Sequence, residues 1–149
     1  MWVADAHWPT TIWKLPVSGG DAVRVSPGVG LLAIESPDGA YLYYAEATTT
    51  DRPGPLLQLS LKDGVVVKLP VSIASTSFAV IEGGIYHIER APGDTQLKYF
   101  DLSTHQSTVI ARNLGNVGPG LTASRDGRSI LYSRVDSAVN DLMLVENFR

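Results

Sequence analysis

The chain has 149 residues, 44% of them hydrophobic and 18% charged, a globular composition with enough length for one domain and a sizeable core. Its net charge is −3 and its 12 Lys and Arg residues are scattered, so no basic patch marks a nucleic-acid partner for this chain. It has no cysteine, which excludes disulfides, thiolate nucleophiles and cysteine metal sites, and no apolar run approaches the ~18 residues of a membrane-crossing helix.

Taken in order, the opening Met1-Trp2-Val3-Ala4-Asp5-Ala6-His7 has no basic start and an early Asp. It does not read as a signal peptide; residues 2–5 read as a short strand. Strands are predicted over 12–17 and 22–25, joined by Ser18-Gly19-Gly20-Asp21, whose glycines supply the positive φ that a hairpin needs. A unit of four strands follows, over 31–35, 41–46, 56–61 and 65–70, with a long loop at 47–55. A second unit spans 78–81, 85–90, 96–102 and 107–111. A last unit has strands over 121–123, 129–134 and 142–146. No stretch shows helical spacing with caps, and the middle strands are almost continuously apolar or aromatic. Strands of that kind are covered on both faces.

The units repeat. Ser36-Pro37-Asp38-Gly39 before Tyr41-Leu42-Tyr43-Tyr44 returns as Ser124-Arg125-Asp126-Gly127 before Ile130-Leu131-Tyr132-Ser133, 88 residues or twice 44 further on. Glu82-Gly83 before Ile85-Tyr86-His87-Ile88 stands at the 44-residue midpoint. Residues 12–20 lie over residues 56–64 at the same step of 44. A period of about 40–45 residues built of short strands is the mark of propeller blades. The fold class expected is all-β: a partial β-propeller of two complete four-stranded blades flanked by two three-stranded partial blades. With strands named a to d from the axis outward, the first blade lacks a and the last lacks d. The whole is expected to be one domain over 1–149, with blade 1 at about 1–25, blade 2 at about 31–70, blade 3 at about 77–111 and blade 4 at about 120–149. The open ends expose strand edges that invite pairing. Two origins fit them: the C-terminal part of a larger propeller, or a half-propeller that closes as a homo-oligomer.

Ser-Pro-Asp-Gly before Tyr-Leu-Tyr-Tyr, and Ile12-Trp13-Lys14-Leu15-Pro16-Val17-Ser18-Gly19-Gly20-Asp21, resemble the TolB-type, WD-like β-propeller repeat. The run from Gly120 to Tyr132 and on through Asp141-Leu142-Met143-Leu144-Val145-Glu146-Asn147-Phe148-Arg149 resembles the C-terminal end of propellers in large bacterial, especially acidobacterial, regulators. In those a winged-helix or serine/threonine kinase domain precedes the repeats. Glu82-Gly83-Gly84 departs from the Ser-Pro-Asp-Gly pattern, so an altered turn is expected there, and Arg125 replaces the turn proline. The sequence carries no winged-helix or kinase motif, so the resemblance implies a protein-binding or ligand-binding sensory module, with a protein partner or upstream blades of the same parent. It implies a periplasmic setting as readily as a cytoplasmic one.

Motifs of catalysis are missing: no G-x-S-x-G elbow, P-loop, H-E-x-x-H or EF-hand loop occurs, so no catalytic residue, cofactor or metal site is expected. A propeller belonging to a prolyl-oligopeptidase-like enzyme is the third option, disfavoured because no hydrolase sequence follows the repeats. His87 is expected to be packed and hydrogen-bonded, His105 to be solvated, and Asp38 and Asp126 to serve turn geometry rather than a carboxylate pair. Tyr41, Tyr43, Tyr44, Tyr86, Tyr132, Trp13 and Met143 are assigned to the packing between blades. If a binding face exists, propeller geometry places it where the d–a and b–c loops gather. The candidates there are His7, Trp8, Asp51, Arg52, Arg112, Asn113 and Asn116.

Overall fold

The computed structural model describes residues 10–46, 52–74, 76–124 and 126–137. These form twelve strands in four antiparallel sheets, and no helix occurs among the described residues. The first sheet pairs β1 (Trp13–Lys14) with β2 (Val23–Arg24). The second is β3 (Ala33–Glu35), β4 (Tyr41–Ala45), β5 (Pro53–Ser60) and β6 (Val66–Ala74), in that order across the sheet. The third is β7 (Phe78–Ile81), β8 (Gly84–Ala91), β9 (Asp94–Asp101) and β10 (Ser107–Ala111), again in order. The fourth pairs β11 (Val117–Ala123) with β12 (Ile130–Arg134). The strands expected over 2–5 and 142–146 lie outside the described residues.

The near-continuous apolar strands are explained by cover on both faces. Along β4, Tyr43 and Ala45 point into one core and Tyr44 into another, because successive side chains alternate. The first core joins the second and third sheets: Tyr43, Ala45, Leu56, Leu69 and Ile73 meet Phe78, Ile85 and Phe100. The second packs Tyr44, Leu57 and Leu59 against Ile12 and Val25, which flank the two strands of the first sheet. The third packs Ile88 and Leu97 against Val117, Leu121 and Ile130. Burying each of the large aliphatic or Phe side chains contributes about 1.5–3 kcal/mol, so the sheets are held chiefly by these faces.

Three aromatic residues assigned to packing are instead open to solvent: Trp13 is 58% exposed, Tyr132 38% and Tyr41 37%. Trp13 and Tyr132 stand on the first and last sheets, which have a described sheet on one side only. Tyr41 begins β4 and lines a cleft between the second and third sheets. Met143 lies outside the described residues. The loop expected over 47–55 is also shorter than expected, since β5 already starts at Pro53, pairing with Ala74. Two prolines fit there because β4 ends at Ala45, opposite Leu56. Beyond that point no ladder donor is required of Pro53 and Pro55 on the β4 side. The register slips between Pro55 and Leu57, and the Pro55 carbonyl accepts the Glu46 N–H at 2.9 Å.

Candidate functional site: a cleft between the two four-stranded sheets

The turn that leads into β4 builds one wall. Ser36 Oγ donates to Asp38 Oδ1 at 2.5 Å and accepts the Tyr41 N–H at 2.9 Å. Asp38 Oδ1 also accepts the Ala40 N–H at 3.0 Å, and Gly39 takes φ +71°, a left-handed angle that suits glycine. The Ser36 hydroxyl and the Ala40 N–H together hold the Asp38 carboxyl below its ordinary pKa. The turn into β12 repeats this bond for bond: Ser124 Oγ to Asp126 Oδ1 at 2.5 Å, Arg128 N–H to Asp126 Oδ1 at 3.1 Å, Ser129 N–H to Ser124 Oγ at 3.0 Å, with Gly127 at φ +67°. Ser, Asp and Gly at these positions are therefore accounted for by the turn.

The equivalent turn of the third sheet is different, as its sequence led one to expect. Glu82 and Gly83 alone join β7 to β8, with Ile81 opposite Gly84. The short turn is braced from the outer strands. The Gly83 carbonyl accepts the Leu102 N–H at 3.0 Å, and the Tyr99 ring lies over Gly84. A Cβ on Gly84 would stand 2.2 Å from the Tyr99 ring, so glycine is what lets the ring close over the strand.

Where the longer turn stands beside the shorter one, a cleft of about 440 Å³ opens between the sheets. Tyr41, Tyr43 and Gln58 line it from the second sheet, and Val80, Ile81 and Leu102 from the third. Asp38 and Glu82 stand in its lining at the two turns. Gln58 Nε2 donates to the Tyr43 hydroxyl at 2.8 Å, and burial raises the Tyr43 pKa against the lowering effect of that bond. The Tyr41 and Tyr43 rings are tilted 47° with centroids 6.4 Å apart. A second cavity adjoins it, sharing Pro37, Val80, Ile81 and Glu82 and adding Glu35 and Ser124. Among the described residues, neither cavity is lined by Lys or Arg. None of the described His, Asp or Glu residues form a group of three that could hold a metal ion.

The described residues among those expected at a binding face lie at the opposite end of the sheets. Arg112 and Asn113, after β10, come together at Asp94, which opens β9. The Arg112 guanidinium meets Asp94 Oδ2 at 2.9 Å, and the Asn113 N–H is donated to Asp94 Oδ1 at 3.1 Å. Gln96 Nε2 adds a third bond at 2.6 Å, and the Gln96 amide, the Asn113 N–H and Arg112 hold the Asp94 pKa below its ordinary value. This clasp fastens the loop after β10 to the β8–β9 hairpin. Asn116 is exposed and its carbonyl accepts the Val135 N–H at 2.8 Å, while Arg52 is exposed just ahead of β5. His7, Trp8 and Asp51 lie outside the described residues.

His105 is exposed, as expected, and lies parallel to the Phe100 ring with centroids 6.0 Å apart. His87 is buried as expected, but neither of its ring nitrogens has a hydrogen-bond partner among the described residues. The expected hydrogen bond is absent because His87 shares its face of β8 with Ile85, which belongs to the core facing the second sheet. Burial pulls its pKa from 6.5 down to about 4, with Glu89 opposing that shift and Lys98 assisting it.

No family model matches the chain, and no curated protein matches it. Among solved structures it is similar to the crystal structure of TolB from Acinetobacter baumannii, with a TM-score of 0.66 over 80% of this chain at 16% identity. The chain is a partial β-propeller. Its four sheets are blades, the second and third complete with four strands each. It spans 31% of the length of that TolB structure. At this identity the likeness speaks for fold alone, and a propeller scaffold hosts many functions. The cleft therefore lies between two complete blades, at the end where their a–b and c–d turns gather, whereas the Asp94 clasp sits at the b–c and d–a end. Among the described residues no helix is long and apolar enough to cross a membrane.

Proposed function

We propose that the chain is a non-catalytic propeller module that binds a protein or a small ligand, serving as the C-terminal sensory part of a larger bacterial regulator. The observation that carries the binding role is the cleft between the complete blades. At about 440 Å³ it falls within the roughly 300–1,000 Å³ range of ligand sites, and it combines apolar walls with a few polar groups. The regulator setting rests on the sequence resemblance of the C-terminal repeat. The first and last sheets, where Trp13 and Leu131 are exposed, are where further blades, of the same parent or of another copy, would pack.

The test pairs two assays on the intact chain. A thermal-shift screen against small metabolites and capped tripeptides is expected to return at least one ligand that raises Tm saturably. In parallel, p-nitrophenyl and peptide esters are expected to hydrolyse at the buffer rate. Ester turnover that scales with protein concentration would overturn the non-catalytic reading, and a screen with no stabilising ligand would overturn the cleft as a small-ligand site.

A further inference from the structure

The lining of the inter-blade cleft defines the chemistry of its occupant, an inference that rests on the cleft being the binding site proposed above. We infer that the cleft between the second and third blades takes an organic cation, a primary ammonium or guanidinium group on a short apolar stem. Charge points to it first. Asp38 and Glu82 line the cleft and Glu35 the adjoining cavity, with no Lys or Arg in either lining among the described residues. From these three carboxylates a carboxylate or phosphate ligand would meet like charge. Asp38 is kept ionised by the turn itself, since Oδ1 takes both the Ser36 hydroxyl and the Ala40 N–H.

The neutral groups agree with the charges. Gln58 spends an amide N–H on the Tyr43 hydroxyl, which leaves its carbonyl oxygen to accept from a ligand N–H. Tyr41 lines the cleft and is part-exposed, which puts an aromatic ring of the kind that attracts cations in its wall. Val80, Ile81 and Leu102 form the opposite wall. That wall suits a stem of a few methylenes, in the way long cationic side chains lay their stems along apolar surface. The asymmetry follows from the two turns: four residues between Ser36 and Tyr41 in one blade, and two between Ile81 and Gly84 in the next.

The probes are n-butylammonium, n-butylguanidinium, n-butanol and butyrate, each titrated into ¹⁵N-labelled chain. N-acetyl-Gly-Lys-Gly-amide is added to separate a free amine from a peptide side chain. The two cations are expected to shift the amide signals of Tyr41, Gln58, Ile81 and Gly83 saturably, and butanol and butyrate at least tenfold more weakly. Glu82→Gln is expected to raise the cation Kd about fivefold, as loss of one partly exposed charge partner should. Tyr41→Leu tests the same site without touching a charge, and is expected to weaken the cations more than butanol. Both side chains are exposed, so both variants should fold. Tighter binding of the tripeptide than of butylammonium identifies a peptide side chain as the source; the reverse identifies a free amine. Butanol or butyrate binding the cleft as well as the cations, or cation binding indifferent to both substitutions, overturns the inference and leaves the binding module standing. Silence of the cleft signals to all five probes, while a screened ligand still raises Tm, also overturns it alone.

Discussion

Phe78→Ala is expected to lower the unfolding free energy by about 3–5 kcal/mol, the usual cost of emptying a buried aromatic site. Phe78 is fully buried at the start of β7, in the core that joins the two complete blades. Its loss leaves a cavity bordered by strands of both blades, where neither blade can relax without opening the joint. Domains of this size are stable by roughly 5–15 kcal/mol, so the variant should be largely unfolded by mild urea. Leu131→Ala is the control. Leu131 is just as apolar but 69% exposed on the last blade, and its truncation should move stability by no more than about 0.5 kcal/mol. Urea midpoints with unchanged m-values decide the matter. Equal effects of the two substitutions would contradict the placement of the core.

His87→Leu should do the opposite. The imidazole is 1% exposed, its two nitrogens have no partner among the described residues, and burial has lowered its pKa to about 4. An unfolded chain binds the proton from about pH 6.5 downward, and the folded chain only near 4. The folded state therefore carries fewer protons across that window, and stability falls as pH drops through it. The stability is fully present above pH 6.5 and lost progressively toward pH 4, by about 3 kcal/mol in total. Leucine has a similar volume and no polar atoms to leave unpaired, so the variant should be more stable than the parent at pH 5 and hold its stability from pH 7 to pH 5. Urea midpoints at pH 7, 6 and 5 measure this. A variant that keeps the parental pH slope, or loses stability at pH 7, would contradict an unpartnered neutral His87.

The turns were the most legible part of the sequence. Ser36, Asp38 and Gly39 each have a local task in one turn, and Ser124, Asp126 and Gly127 repeat it, so identity and spacing alone encode the geometry. The doubly covered strands were legible for a similar reason: Tyr-Leu-Tyr-Tyr leaves no polar face to turn to water. The cleft was not legible. Its walls are about 44 residues apart in sequence, and its existence depends on a two-residue difference in turn length whose consequence appears only when the blades stand side by side. Glu82-Gly83-Gly84 was the available signal, since an irregular turn in a regular repeat marks where neighbouring blades cease to match. Pro53 and Pro55 read as loop because the end of β4, which frees them from the ladder, is not written near them. Trp13 and Tyr132 read as core because a sequence repeat does not say which blade faces have neighbours.

The measurement that bears most directly on this account is amide chemical-shift mapping of the first ligand the thermal-shift screen returns. The largest shifts are expected on Tyr41, Gln58, Ile81, Gly83 and Leu102, on the two blades that border the cleft. Shifts centred on Asp94, Thr95, Asn113 and Gly115 would place binding at the opposite end of the blades and contradict it.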